Sequence, residues 1–173
     1  HLCPTLPTRQ RSCYRMPSSN SKIETKEVQF ENARLLPEIV KLLDEGHTVT
    51  LRLRGVSMRP FLENNRDKAL LTKPVNPKVG DPVLAEIRPG FFVLHRITAI
   101  DAHHVTLLGD GNSIHSPEHC TTDDIQGAVI GFYRHGRKRL DRTDGWRWRT
   151  YSFIWMHTLF LRRYILFIYR HII

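Results

Sequence analysis

The stretch Phe91-Phe92-Val93-Leu94-His95-Arg96-Ile97-Thr98-Ala99-Ile100 reads with a period of two, so that Phe91, Val93, His95 and Ile97 share one apolar face of an extended strand. Segments of the same kind lie on either side. Val49, Leu51 and Leu53 alternate with Thr50, Arg52 and Arg54; KALLT (68–72), DPVLAEI (81–87), HHVTLL (103–108) and IQGAVIGF (125–132) follow, separated by Pro, Gly and Asn. Short strands punctuated by turn residues predict a mainly β core. Ahead of it the period changes: between Glu27 and Glu45 the residues Leu35, Leu36, Ile39, Val40, Leu42 and Leu43 recur at helical spacing, and Gly46 follows where a helix end favours positive φ. One amphipathic helix therefore precedes the strands.

A chain of 173 residues, 40% hydrophobic and 25% charged, suits one domain with appendages. Its formal charge of +9 is concentrated at the ends. Residues 1–26 carry Arg9, Arg11, Arg15, Lys22 and Lys26 against Glu24, and residues 131–173 carry ten Lys and Arg against Asp141 and Asp144, which leaves 27–130 slightly negative. A DNA reader concentrates cations on its folded module, so this distribution points to a membrane surface and no nucleic-acid partner is expected. Cys3, Cys13 and Cys120 are odd in number and imply no disulfide framework. A zinc site from Cys120, His115 and His119 would lack its fourth ligand, so no metal is expected.

The sequence divides into an N-terminal extension (1–26), a β domain with its leading helix (27–140) and a basic, apolar tail (141–173). The extension is rich in Pro, Ser and Arg without apolar periodicity and reads as disordered, with Met16 a candidate start. The tail reads as a C-terminal apolar helix over Tyr151–Ile173, but Arg162 and Arg163 sit in its middle, where a bilayer centre would oppose them. The expectation is a helix lying in the membrane interface, its arginines reaching lipid phosphates and Trp146, Trp148 and Trp155 near the headgroups; a helix docked on the core is the plainer alternative. Localisation is then membrane-associated, peripheral or C-terminally anchored, with a cytoplasmic chain as the alternative.

Three short elements carry candidate chemistry. Arg54-Gly55-Val56-Ser57-Met58-Arg59-Pro60 follows an alternating strand and exposes Ser57 where the chain leaves the sheet; a serine there otherwise makes a local turn hydrogen bond. His95 lies on the apolar face of its strand, where desolvation favours the neutral imidazole that can accept a hydroxyl proton, although a core histidine bonded to a carbonyl has the same pattern. Gly109-Asp110-Gly111-Asn112 puts a carboxylate in a turn after a strand, which alone is an ordinary hairpin signal.

In this order the elements resemble the signal peptidase I family and the self-cleaving repressors of the LexA type. Gly55-Val56-Ser57-Met58-Arg59-Pro60 matches the family's G-x-S-M-x-P box, Val79-Gly80-Asp81-Pro82-Val83-Leu84 looks like its G-D-x-V-V strand, and Gly109-Asp110-Gly111-Asn112 is similar to its G-D-N-N box. Val93-Leu94-His95-Arg96-Ile97 looks like the box supplying the base, with the histidine of the endoplasmic-reticulum and archaeal type, and Gly127-Ala128-Val129-Ile130-Gly131 like the closing strand. The resemblance runs from about Thr48 to Tyr133. It implies an antiparallel β core, Ser57 as nucleophile and His95 as base, substrate and oxyanion held around Ser57, Met58 and Pro60, and no cofactor. Ser113–Glu118, where the family has an acidic residue a few positions beyond the G-D-N-N box, holds no aspartate, which leaves Asp110 as first and Glu118 as second candidate to orient His95. The family's N-terminal membrane helix is also missing ahead of the serine box.

The function so implied is a serine endopeptidase cutting signal, leader or precursor peptides at extended segments. A catalytically inactive peptide-binding module of the same fold is the alternative; a self-cleaving regulator would need a DNA-binding module that one helix does not supply.

Overall fold

Apolar residues at helical spacing give the first element, α1 (Asn32–Asp44), whose Leu36, Ile39 and Leu43 are buried. Gly46, at φ 86°, closes it, with Gly46 N donating to Leu43 O and His47 N to Leu42 O. The computed structural model describes residues 32–113 and 115–172. The N-terminal extension with Cys3, Cys13 and Met16, and residues 27–31 of the expected helix, lie outside the described residues.

Among the described residues eight strands form one antiparallel sheet in the order β1 (Val49–Arg52), β2 (Lys68–Thr72), β7 (Ile125–Tyr133), β3 (Pro82–Arg88), β4 (Phe91–Asp101), β5 (His104–Leu108), β6 (Glu118–Thr121), with β8 (Leu140–Arg142) paired to β7. The mainly β fold expected from the period-two segments is present. Two strands had no such signal: β6 has only Cys120 buried, and β8 has three residues, none of them buried.

Because side chains alternate across a sheet, its faces carry different cores. Leu84 joins the cluster of α1 with Leu53, Met58, Leu62, Leu71, Phe132 and Trp148, while its neighbours Val83 and Ala85 join Ile97, Val105, Leu107, Cys120 and Ile125. On β4, His95 pairs across from Val83 and Arg96 from Pro82, so the histidine faces the second cluster and the arginine the first.

The C-terminal segment corrects the expectation of a single apolar helix. It forms two, α2 (Trp146–His157) and α3 (Leu159–Ile172), separated at Thr158, whose N–H and hydroxyl both donate to Ile154 O. Neither is long and apolar enough to cross a membrane. Trp148, Trp155 and Arg162 are buried rather than placed at a lipid headgroup, because each meets a partner inside the protein: Arg96 lies 4.8 Å from the Trp148 ring and Arg162 5.1 Å from that of Trp155. Arg163 and Trp146 are exposed.

Leu43 is fully buried between α1 and the sheet, so Leu43→Ala should cost about 2–5 kcal/mol. Urea denaturation should show this as a lower midpoint with an unchanged slope.

Candidate active site

The serine turn is built from backbone constraints. Gly55 takes φ 94° and donates to Asn64 Oδ1 at 2.9 Å, Arg59 N closes on Val56 O at 3.1 Å, and the Arg59–Pro60 peptide is cis. Met58 is buried in the first core with Leu62, so its side chain anchors the turn rather than facing a substrate; Pro60 is half-buried. Ser57 is left half-exposed, and among the described residues its hydroxyl makes no hydrogen bond. It does not follow the pattern of a serine capping its own turn.

The sheet brings the strand of His95 towards this turn. Arg96 pairs with Leu108, so continuing the antiparallel register by one residue sets Gly109 next to His95. A Cβ at Gly109 would come within 2.5 Å of Ser57 O, and one at Gly111 within 2.6 Å of Val56 O. Both glycines therefore admit the backbone of the serine turn where a side chain would exclude it. Gly111 N donates to Ser57 O at 2.7 Å and completes the contact. No hydrogen bond joins Ser57 Oγ to His95 among the described residues.

His95 is 4% exposed, and its Nδ1 bonds Glu118 Oε2. The route is set by register: Ile97 pairs with Leu107 and Leu107 with Glu118, so Glu118 stands on the His95 face two strands away and reaches across β5. A carboxylate on Nδ1 fixes the tautomer with the proton there, leaving the Nε2 lone pair free. Burial pulls the imidazole pKa below 6.5, opposed by the charge and hydrogen bond of Glu118 and by the charge of Asp110. Neutral imidazole is thus the resting form near pH 7.

Asp110, the first candidate for orienting His95, is committed elsewhere. Its carboxylate accepts Arg96 Nε at 2.9 Å and Nη2 at 2.6 Å, with both side chains almost wholly buried. The second candidate, Glu118, occupies the orienting position. Cys120 belongs to the second core, where burial pushes its thiol up to about 11, and His119 is exposed on the same strand, so these two side chains do not converge. Among the described residues no group of His, Cys, Asp and Glu is arranged to hold a metal ion.

Neither protein-family models nor curated proteins match this chain.

Two features carried no sequence signal. Arg96 also donates through Nη1 to Gly80 O at 2.9 Å and Ser152 Oγ at 2.6 Å, and Arg162 of α3 donates to Asp110 O at 2.9 Å and Gly109 O at 2.6 Å. The second is a tie near the serine: Arg59 bonds Glu63, and Tyr169 of α3 donates to Glu63 Oε2 at 3.1 Å. The C-terminal helix therefore fastens both the 109–112 turn and the loop that follows Ser57.

Two carboxylates so differently placed should respond differently to removal. Asp110→Ala leaves Arg96 charged and buried and should destabilise the chain by about 3–5 kcal/mol. Glu118, with a side chain 28% exposed, should cost about 1–2 kcal/mol as Glu118→Gln. Calorimetric melting of the two variants makes the comparison; equal losses would contradict this division of roles.

Proposed function

We propose that the chain is a serine endopeptidase of the signal-peptidase type, acting on leader or precursor peptides at extended segments. The observation that carries the reading is the buried His95 ring, held through Nδ1 by Glu118 and, among the described residues, without a hydrogen bond on its other nitrogen, on the strand paired with the one that runs into the Gly109 turn packed against Ser57 O. Core histidines are ordinarily satisfied by a carbonyl; a carboxylate on one nitrogen and nothing on the other is the arrangement of an oriented general base.

In this mechanism Ser57 Oγ attacks the peptide carbonyl as its proton passes to His95 Nε2. Glu118 stabilises the imidazolium that forms, without taking the proton itself. The proton then passes from His95 to the leaving amine, the C–N bond breaks, and an acyl-enzyme remains on Ser57. Water, deprotonated by the same base, releases the acid. General-base assistance of this kind supplies about 10²–10⁴-fold in rate. The Ser57 N–H, which carries no hydrogen bond among the described residues, is the assigned oxyanion donor. The sheet ends in β1 and β6, which lead towards the serine turn and bear Glu118, so an extended peptide has an edge to pair with near the site.

The competing reading, a peptide-binding module without turnover, is favoured by one observation: Ser57 Oγ and His95 are not hydrogen-bonded to each other. Catalytic bonds are often long before substrate binds, which weighs against that reading. Mass spectrometry of a precursor-like peptide library, incubated with detergent, decides between the two. Cleavage by the wild type, reduced at least about 100-fold in both Ser57→Ala and His95→Ala, is the expected outcome. Peptide binding that survives Ser57→Ala, with no wild-type cleavage, is the result of a silent module.

A further inference from the structure

α3 turns one side towards the protein and leaves the other bare. Arg162 is buried and Leu166 and Tyr169 are half-buried, at the spacing i, i+4, i+7. Beside them and running round to the outer side, Leu161, Tyr164, Ile165 and Ile168 follow i, i+3, i+4, i+7 and are 42, 66, 39 and 54% exposed. Single apolar residues on a surface need no explanation, but a continuous stripe at helical spacing marks a contact face.

Charge decides what covers it. Residues 145–173 contain no Asp or Glu, and of their arginines Arg147, Arg149 and Arg163 are exposed, while Arg162 is buried beside Asp110. A second copy would bring the same exposed cations to the contact, whereas anionic lipid supplies both an apolar layer and the opposite charge. The helix cannot sink through such a layer. Fourteen residues span about 21 Å against a hydrocarbon core of about 30 Å, and Arg162 is tied to the carbonyls of Gly109 and Asp110.

We infer that the outer face of α3 docks along the surface of an anionic bilayer, with Arg163 among the phosphates. This replaces the interfacial helix expected from composition, in which both central arginines met lipid: Arg162 serves the protein and only Arg163 is free for the membrane. The inference does not depend on the peptidase reading.

Sedimentation of the full chain with vesicles tests it, using phosphatidylcholine alone or mixed with phosphatidylglycerol, at low and high salt. The wild type should sediment with the mixed vesicles and not with phosphatidylcholine alone, and salt should weaken binding. Arg163→Ala should weaken it about fivefold. Ile165→Glu with Ile168→Glu, both at exposed positions, should abolish it while circular dichroism shows an unchanged fold. Three results would overturn the inference: no binding to anionic vesicles, binding indifferent to the double substitution, or a dimer in light scattering that the double substitution returns to monomer. Vesicle binding needs no turnover, so a chain that binds without cleaving peptides contradicts only the peptidase proposal, and one that cleaves without binding contradicts only this one.

Discussion

A buried ion pair, Arg96 with Asp110, is the constraint on which the geometry of the site depends. Neither charge could stand alone there, since each unpaired ion would cost several kcal/mol. The guanidinium meets the carboxylate bidentately, places its remaining bonds on Gly80 O and Ser152 Oγ, and lies against the faces of Trp148 and Tyr151. The pair fixes the turn at Gly109–Asn112, and the turn in turn fixes the serine: Gly111 holds Ser57 O, and Gly109 leaves room for it. Because Arg96 follows His95 on β4, one strand supplies the imidazole to one face of the sheet and the anchor of the opposing turn to the other.

The division of labour between the two carboxylates follows from the same pairing. Asp110 has both carboxylate oxygens bonded by the one Arg96 guanidinium, with that of Arg162 3.7 Å away as well, and so has no part in orienting His95 by hydrogen bond. Glu118, partly exposed on the edge strand, reaches the imidazole across β5. The helices α2 and α3 complete the enclosure, contributing Ser152 to the Arg96 side and Arg162 to the Asp110 backbone. They belong to the architecture of the site although they lie outside the region of β strands.

Much of this fold was legible because strands buried on one or both faces write a period-two pattern, and α1 writes a period of 3.6. The serine turn and His95 stood out only as a serine after a strand and a lone polar side chain on an apolar face, and it was the resemblance that joined them into one candidate site. Which acid meets His95 was not. That depends on the pairing of Leu107 with Glu118, and β6, Glu-His-Cys-Thr, has no alternating apolar residues to announce it. The tail misled for a physical reason too. An arginine in an apolar run looks stranded by composition alone, whereas the partner of Arg162 is the backbone of a turn 52 residues earlier in the chain.

The claim at the centre of the account is that Glu118 holds a neutral His95 ready to deprotonate Ser57, and the pH dependence of peptide cleavage by wild type and Glu118→Gln tests it most directly. Burial places the His95 pKa below 6.5, so wild-type activity should rise with pH through a half-point under that value and be level at neutral pH. Glu118 raises the His95 pKa, so Glu118→Gln should move the half-point to lower pH while lowering the plateau rate. A half-point above about 6.5, or a profile unmoved by Glu118→Gln, would contradict the account.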